Sequence, residues 1–206
     1  MPRLMLIRHG QTAWNKESRC QGQTDVSLDD LGLRQAQALA ERLAEENIDA
    51  IYSSNLQRAV QTADAIADSK DLLIRKEPGL RETNFGDWEG MTTQEIDNQF
   101  GNAWTAWKEN PDLSPPQGGE TPSQVSLRVE EVLKRILKEH AEETIVCVCH
   151  GGSARILLSL ALDLPHGSYR HFYLNNCSLS EIYINGGSAT LTLLNDTCHL
   201  KHLHPG

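Results

Sequence analysis

Two short runs in this chain place a histidine directly before glycine: Arg8-His9-Gly10 near the start and His150-Gly151-Gly152 in the second half. Neutral imidazole is a nucleophile, and the guanidinium beside it is a fork of donors matched to phosphate oxygens. Glycine lets backbone N–H groups come close to a bound group. Together, Arg8 and His9 suggest phosphoryl transfer through a phosphohistidine. The plainer alternative is a strand-end histidine held by hydrogen bonds. A third run, Ser53-Ser54-Asn55-Leu56-Gln57-Arg58, puts an arginine in the first turn of an expected helix. A cation there opposes the helix dipole, so an anionic ligand explains it better than surface decoration does. Glu82 is a candidate general acid, because an ester oxygen needs a proton as it leaves. Asn15, Gln21 and the backbone around Gly22 either offer uncharged donors to an anion or form an ordinary solvated loop.

These side chains need a frame. Residues 4–7, 48–52, 72–74 and 144–149 read as strands, the last a continuous apolar run of the kind buried on both faces. Residues 28–47, capped by Ser27, have Leu33, Ala36, Ala40 and Leu43 at helical spacing. Further helices are expected from Ser54 to about 68, from Ser123 to about 139, and from His150 to about 162. Residues 178–184 and 189–194, around Asn185-Gly186-Gly187, read as a hairpin. Residues 84–122 hold two short expected helices, 92–100 and 103–110, and then a Pro- and Gly-rich stretch, so they read as a cap inserted above the sheet. Alternating strands and helices predict one α/β domain over residues 1–206 with a largely parallel sheet. In such sheets ligands gather beyond the C-terminal strand ends, where Arg8-His9, Ser53 to Arg58 and His150-Gly151 all fall. Two arginines at one rim hold His9 neutral, and His150, if protonated, adds charge for the equatorial oxygens.

The bulk numbers exclude some partners. The chain has 206 residues, 39% hydrophobic and 23% charged, which is ordinary for a soluble globular protein. Its formal net charge of −9, from 19 Lys and Arg against 28 Asp and Glu, argues against nucleic acid or an anionic membrane as a partner. No apolar run approaches the ~20 residues of a membrane span, no leader is visible, and five cysteines without framework spacing fit reduced thiols, so a cytoplasmic protein is expected. Cys147 and Cys149 share one strand face and read as core packing. Residues 84–122 carry one basic residue, Lys108, against seven acids, a balance unsuited to gripping a second phosphate. Asp87 and Glu89 read there as solvated loop charges, and the aromatics Phe85, Trp88, Phe100, Trp104 and Trp107 as packing more than ligand contacts. His199, His202 and His204 crowd a flexible tail poor in other ligands, so no metal site is expected.

In their order along the chain, Arg8-His9-Gly10 with Asn15, Ser53-Ser54 with Arg58, Leu80-Arg81-Glu82 with Phe85-Gly86-Asp87-Trp88-Glu89-Gly90, and His150-Gly151 resemble the histidine phosphatase, or phosphoglycerate mutase-like, superfamily. The resemblance implies a three-layer sandwich with a mostly parallel mixed sheet flanked by helices. It implies His9 as the phosphorylated nucleophile, with Arg8, Arg58 and His150 holding the phosphoryl group, assisted by Asn15 and the Gly151 amide. Glu82 would protonate the leaving group and then activate water. A small phosphate ester is the implied substrate, with no metal or cofactor, and a homodimer is one open assembly state. The closing Asn195-Asp196-Thr197-x-His199-Leu200 is similar to the alpha-ribazole phosphatase group, whose members dephosphorylate a nucleotide-like cobalamin precursor. Phosphoglycerate mutases carry extra basic residues in the cap, and the single Lys108 departs from that.

Overall fold

The computed structural model describes residues 1–185 and 187–203. A six-stranded sheet runs through it, built from β1 (Arg3–Arg8), β2 (Ala50–Ser53), β3 (Ile74–Lys76), β4 (Thr144–Cys149), β5 (Leu179–Asn185) and β6 (Ser188–Asp196). The spatial order is β3-β2-β4-β1-β5-β6. The first four strands are mutually parallel, and the β5–β6 hairpin adds two antiparallel strands at one edge. Gly186, in the expected turn of that hairpin, lies outside the described residues, as does His204.

Side-chain alternation sorts each central strand into two cores. Leu4, Leu6, Tyr52, Cys147 and Cys149 face one side of the sheet, where α6 (Pro122–Glu139) and α7 (Gly151–Ala161) bury Val129, Ile136 and Leu157. Met5, Ile7, Ile51, Val146 and Val148 face the other, against Leu39 of α2 (Asp30–Arg42) and Ile66 of α3 (Gln57–Asp68). Helices on both faces of a mixed sheet give the expected three layers. Residues 84–122 supply no strand; they hold α4 (Thr93–Phe100), capped by a Thr92–Glu95 box, and α5 (Ala103–Glu109). The remaining short helix, α1 (Ala13–Lys16), follows the Arg8-His9-Gly10 turn.

Several boundaries move for identifiable reasons. Asp29, not Ser27, caps α2, because its Oδ1 accepts the Gly32 amide at 2.8 Å. Leu33 is 48% exposed, since the buried stripe centres on Ala36, Leu39, Ala40 and Leu43 and leaves it at the edge. Ser54 does not cap α3: the N-cap is Leu56, without a side-chain bond of its own, and the Ser54 hydroxyl accepts the Leu56 amide at 3.3 Å and meets His150 at 2.8 Å. The third strand begins at Ile74, not Leu72, with Leu73 90% exposed beyond Asp71 in a left-handed turn. Thr121 caps α6, so that helix starts one residue before Ser123. The tail is not a loose end: residues Cys198–Leu203 form a 3-10 helix whose Leu200 packs into the α2–α3 core.

Candidate active site

His9 leaves β1 still tied to the sheet, its amide donating to the Cys149 carbonyl at 2.9 Å. The ring is 3% exposed. Its Nδ1–H donates to the Gly10 carbonyl at 2.7 Å, which assigns the tautomer and leaves the Nε2 lone pair free for attack. Burial, reinforced by the Arg58 and Arg8 charges, holds the imidazole well below its ordinary pKa of 6.5, so it is neutral at pH 7. The turn is anchored from α3: the Gly10 amide donates to Thr62 Oγ1 at 3.0 Å, and that hydroxyl donates to the Arg58 carbonyl at 2.8 Å. A side chain at Gly10 would put Cβ 2.7 Å from the Gly32 carbonyl oxygen, so the turn requires glycine.

Arg58 is fully buried, near the start of α3. Its Nη1 donates to the Thr24 carbonyl at 2.8 Å, its Nη2 to the Gly22 carbonyl at 2.6 Å, and its Nε to His150 Nδ1 at 3.1 Å. Burial brings the guanidinium down to about 10, with Glu82 opposing the shift, so it stays charged at pH 7. His150 must accept at Nδ1 and therefore carries its proton on Nε2, which donates to Ser54 Oγ at 2.8 Å. Burial first, then Arg58 and His9, push its pKa well below 6.5. His150 is thus neutral, and Arg8 and Arg58 supply fixed positive charge beside His9. The rings of His9 and His150 lie 5.1 Å apart between centroids.

Glu82 rests on the N-terminus of α7. The Gly152 amide donates to both of its carboxylate oxygens at 2.9 and 3.1 Å, while the Ser153 and Thr83 amides reach Oε1 at 3.2 and 2.9 Å. A Cβ at Gly152 would sit 2.4 Å from that Oε1, so a side chain there would displace the Glu82 carboxylate.

Arg8, His9, Asn15, Gln21, Gly22, Arg58 and Glu82 line one pocket of about 170 Å³. Two buried polar atoms among them have no protein partner, Arg8 Nε and Gln21 Oε1. Asn15 turns its Oδ1 to the Thr12 amide, 3.1 Å, and to Asn176 Nδ2, 3.2 Å, which leaves its own Nδ2 as a donor. Gly151 lines an adjoining pocket that shares Arg8 and Glu82. Two expected site residues stand apart from these walls. Ser53 donates its hydroxyl to the Ser54 carbonyl at 2.8 Å, and His150 lies behind Arg58. Among the described residues, no group of three or more His, Cys, Asp or Glu is placed to hold a metal ion.

Residues 4–197 match the histidine phosphatase superfamily (branch 1). The chain belongs to that superfamily. It is similar to Phosphoserine phosphatase 1 of Hydrogenobacter thermophilus, 35% identical over 204 residues, which are 99% of this chain and 97% of the relative. Its fold is similar to that of a mycobacterial glucosyl-3-phosphoglycerate phosphatase, at 33% identity and a TM-score of 0.88 over 95% of this chain and 99% of that one. It is equally similar to the alpha-ribazole phosphatase of Shigella flexneri, at 31% identity and a TM-score of 0.88 over 94% and 96%. The protein is a phosphatase of this superfamily.

Several side chains that support the phosphatase site had no marker in the sequence. Glu89 is not a solvated loop charge: its Oε1 accepts the Gln23 and Phe85 amides at 2.8 and 3.1 Å, and its Oε2 the Thr24 amide at 2.8 Å. It therefore pins the loop whose carbonyls hold Arg58. Arg128, on α6, donates to the carbonyls of Gly79, Arg81 and Glu82 and to Glu120, fixing the backbone at Glu82. Asn176 Nδ2 donates to the His9 and Gly10 carbonyls at 3.0 and 3.2 Å. Each acts through hydrogen bonds between segments distant in sequence, which no local motif records.

Proposed function

We propose that this phosphatase is a metal-independent phosphomonoesterase working through phospho-His9. The observation that carries the proposal is the neutral His9 ring with a bonded Nδ1–H and a free Nε2, between two guanidinium groups. His9 Nε2 attacks phosphorus, the ester P–O bond breaks, and Glu82 gives its proton to the leaving oxygen. Glu82 then takes a proton from water, the hydroxide forms a P–O bond as the P–N bond breaks, and inorganic phosphate leaves. Arg8, whose Nε lacks a partner, and Arg58 balance charge on the equatorial oxygens, the task a metal performs elsewhere. Asn15 Nδ2 and the Gly151 amide add neutral donors. Ser53 and Ser54 act from behind, since His150 meets the phosphoryl group only by exchanging its bond to Ser54.

For the leaving group, an aromatic wall beside the pocket supports a flat body such as the base of alpha-ribazole 5′-phosphate. Phe85 and Trp104 line the pocket, and Trp104 stacks on Trp107 at 4.9 Å. The chain-end pattern contributes no contact to it. Asn195 Oδ1 accepts the Asn175 amide at 2.7 Å and His199 Nε2–H donates to the Cys177 carbonyl at 3.0 Å, so both are ties within the fold. A broad-specificity phosphatase is the second reading, favoured by similarity to relatives with three differently named substrates. The test is kcat/KM across phosphomonoesters, alpha-ribazole 5′-phosphate and phosphoserine included, in EDTA, with acid-stable quantification of phosphoenzyme against His9→Ala. Activity that vanishes with the chelator, or a His9→Ala protein that turns over normally, overturns the proposed chemistry. A flat profile across substrates removes the alpha-ribazole assignment alone. A cytoplasmic location fits the thiols: the free cysteines Cys147, Cys149 and Cys177 are buried and raised in pKa.

A further inference from the structure

A second cavity borders the site outside the phosphate pocket. It measures about 370 Å³, shares Phe85 and Trp104 with that pocket, and shares Arg155 with the depression around Glu82 and Gly151. Its remaining walls are Trp107, Lys108, Pro111, Tyr169 and Arg170. Three cations therefore converge from three separate elements: Lys108 from the cap, Arg155 from α7, and Arg170 from the 3-10 turn Ser168–His171. None of the three forms an ion pair with a carboxylate among the described residues, although the chain has an excess of acids.

Arg155 is the most informative of them. It is half-buried, its Nε donates to the Gly151 carbonyl at 2.8 Å, and its Nη groups have no protein acceptor among the described residues. It also stands close enough to Arg8 for the two charges to oppose each other. Arg170 spends part of its fork on the carbonyls of Lys108 and Glu109 at the end of α5, which fixes it on the rim. The indole N–H of Trp107 is buried in the same wall without a partner. Partly buried donors without acceptors, here the Arg155 Nη groups and the Trp107 N–H, favour an anion from outside, and the exposed Lys108 and Arg170 add positive charge at the rim.

We infer that this cavity receives the leaving alcohol and selects one that bears a second anionic group, a carboxylate or a phosphate, with Arg155 as the specificity-determining residue and Lys108 and Arg170 assisting. The inference rests on the phosphomonoesterase chemistry proposed above and, for the leaving group, on the second reading given there in place of alpha-ribazole, with acidic leaving groups favoured over a neutral nucleoside. It also revises the expectation drawn from the cap alone: the cations come mainly from α7 and the turn after it, not from residues 84–122.

The experiment compares matched substrate pairs that differ only in the second anion. The carboxylate arm is 3-phosphoglycerate against glycerol 3-phosphate, and the phosphate arm is fructose 1,6-bisphosphate against fructose 6-phosphate. In the wild type, kcat/KM favours the acidic member of at least one arm by about tenfold or more, and the favoured arm identifies the anion. Arg155→Gln reduces that ratio by about tenfold, mainly through KM, and Arg155→Lys restores part of it. Lys108→Met, on the exposed rim, lowers the ratio by a smaller factor and covers the case in which a change at Arg155 disturbs Gly151. Equal turnover within both pairs, or ratios untouched by Arg155→Gln and Lys108→Met, overturns the inference while phospho-His9 still forms. Failure of the phosphatase reading looks different, because no phosphoenzyme then accumulates with any substrate.

Discussion

The two histidines occupy matching places. Each follows the last residue of a central parallel strand, Arg8 of β1 opposite Cys149 of β4 in register, and each is followed by glycine. Their surroundings differ in what happens next. After His9 the chain enters a loop held by the short helix α1, so the ring stands at the pocket wall with Nε2 free. After His150 the chain enters α7 directly, and both ring nitrogens are taken, one by Arg58 and one by Ser54. Two copies of one local motif thus differ in what they offer, a ring with a free nitrogen for the proposed nucleophile and a ring held at both nitrogens, and the difference lies in which neighbours consume the hydrogen-bonding capacity. The glycines that follow differ as well: a Cβ at Gly10 would meet the Gly32 carbonyl at 2.7 Å, whereas one at Gly151 would make only ordinary contact, 3.5 Å from Arg8 Nε.

The contrast is most directly broken by exchanging the losses. His9→Ala is expected to abolish phosphoenzyme and lower kcat/KM by about 10⁴-fold or more. His150→Ala should still form phosphoenzyme in rapid-quench experiments, at a rate reduced by about 10²–10³-fold. Equal phosphoenzyme loss in the two variants would erase the division of labour. Next in size is Glu82→Gln, which is expected to slow hydrolysis of an alkyl phosphate by about 10²–10⁴-fold. A p-nitrophenyl ester, whose leaving oxygen scarcely needs a proton, should lose less at the phosphorylation step. An identical loss for both esters would remove the acid role.

Arg58→Gln tests the electrostatic half of the comparison. The guanidinium is one of the charges that hold His9 below 6.5, so its removal raises the His9 pKa and moves the acidic limb of the kcat/KM profile to higher pH. An unmoved limb would show that burial and Arg8 set it without Arg58. Folding stability carries a related signature. His9, His150 and His199 all have native pKa values below the unfolded value near 6.5. Their contribution is complete above pH 6.5 and is lost as pH falls towards their native values, because the unfolded chain takes up protons that the buried rings refuse. Urea titrations at pH 7.5 and pH 5.5 should therefore give a lower unfolding free energy at the acidic pH. The smallest effect is expected from Ser54→Ala, a loss of about 1 kcal/mol from leaving the His150 Nε2–H unpaired, with phosphoenzyme chemistry retained.

The elements legible in the sequence were those with a strong pattern of their own. The apolar run of β4 matches its predicted bounds of 144–149, and the hairpin and both cap helices fall within two residues of expectation. Weak patterns slipped. Three-residue β3 carries too little alternation to fix its start, and the first turn of α2 packs through Gly32, which leaves no apolar mark. Within the site, the residue types bearing chemistry were visible, but the phase of adjacent positions was not. Ser53 and Ser54 are indistinguishable in a string, yet only Ser54 reaches His150. Charge counted along residues 84–122 gave an acidic cap, whereas the cavity beneath it draws Arg155 and Arg170 from a later part of the chain. Glu89 and Arg128 were opaque for the same reason, since their partners are backbone groups brought near only by folding.

The link from Gly10 through Thr62 to the Arg58 carbonyl has a mechanical consequence. Arg58 and Thr62 lie one turn apart on α3, so a small rigid shift of that helix against the sheet carries the cation and the anchor of the His9-Gly10 turn in the same direction. Displacements of the two are correlated at their source. A displacement of α3 therefore reaches the Arg58 guanidinium and the Gly10 amide together, while the His9 amide stays on the Cys149 carbonyl of the sheet.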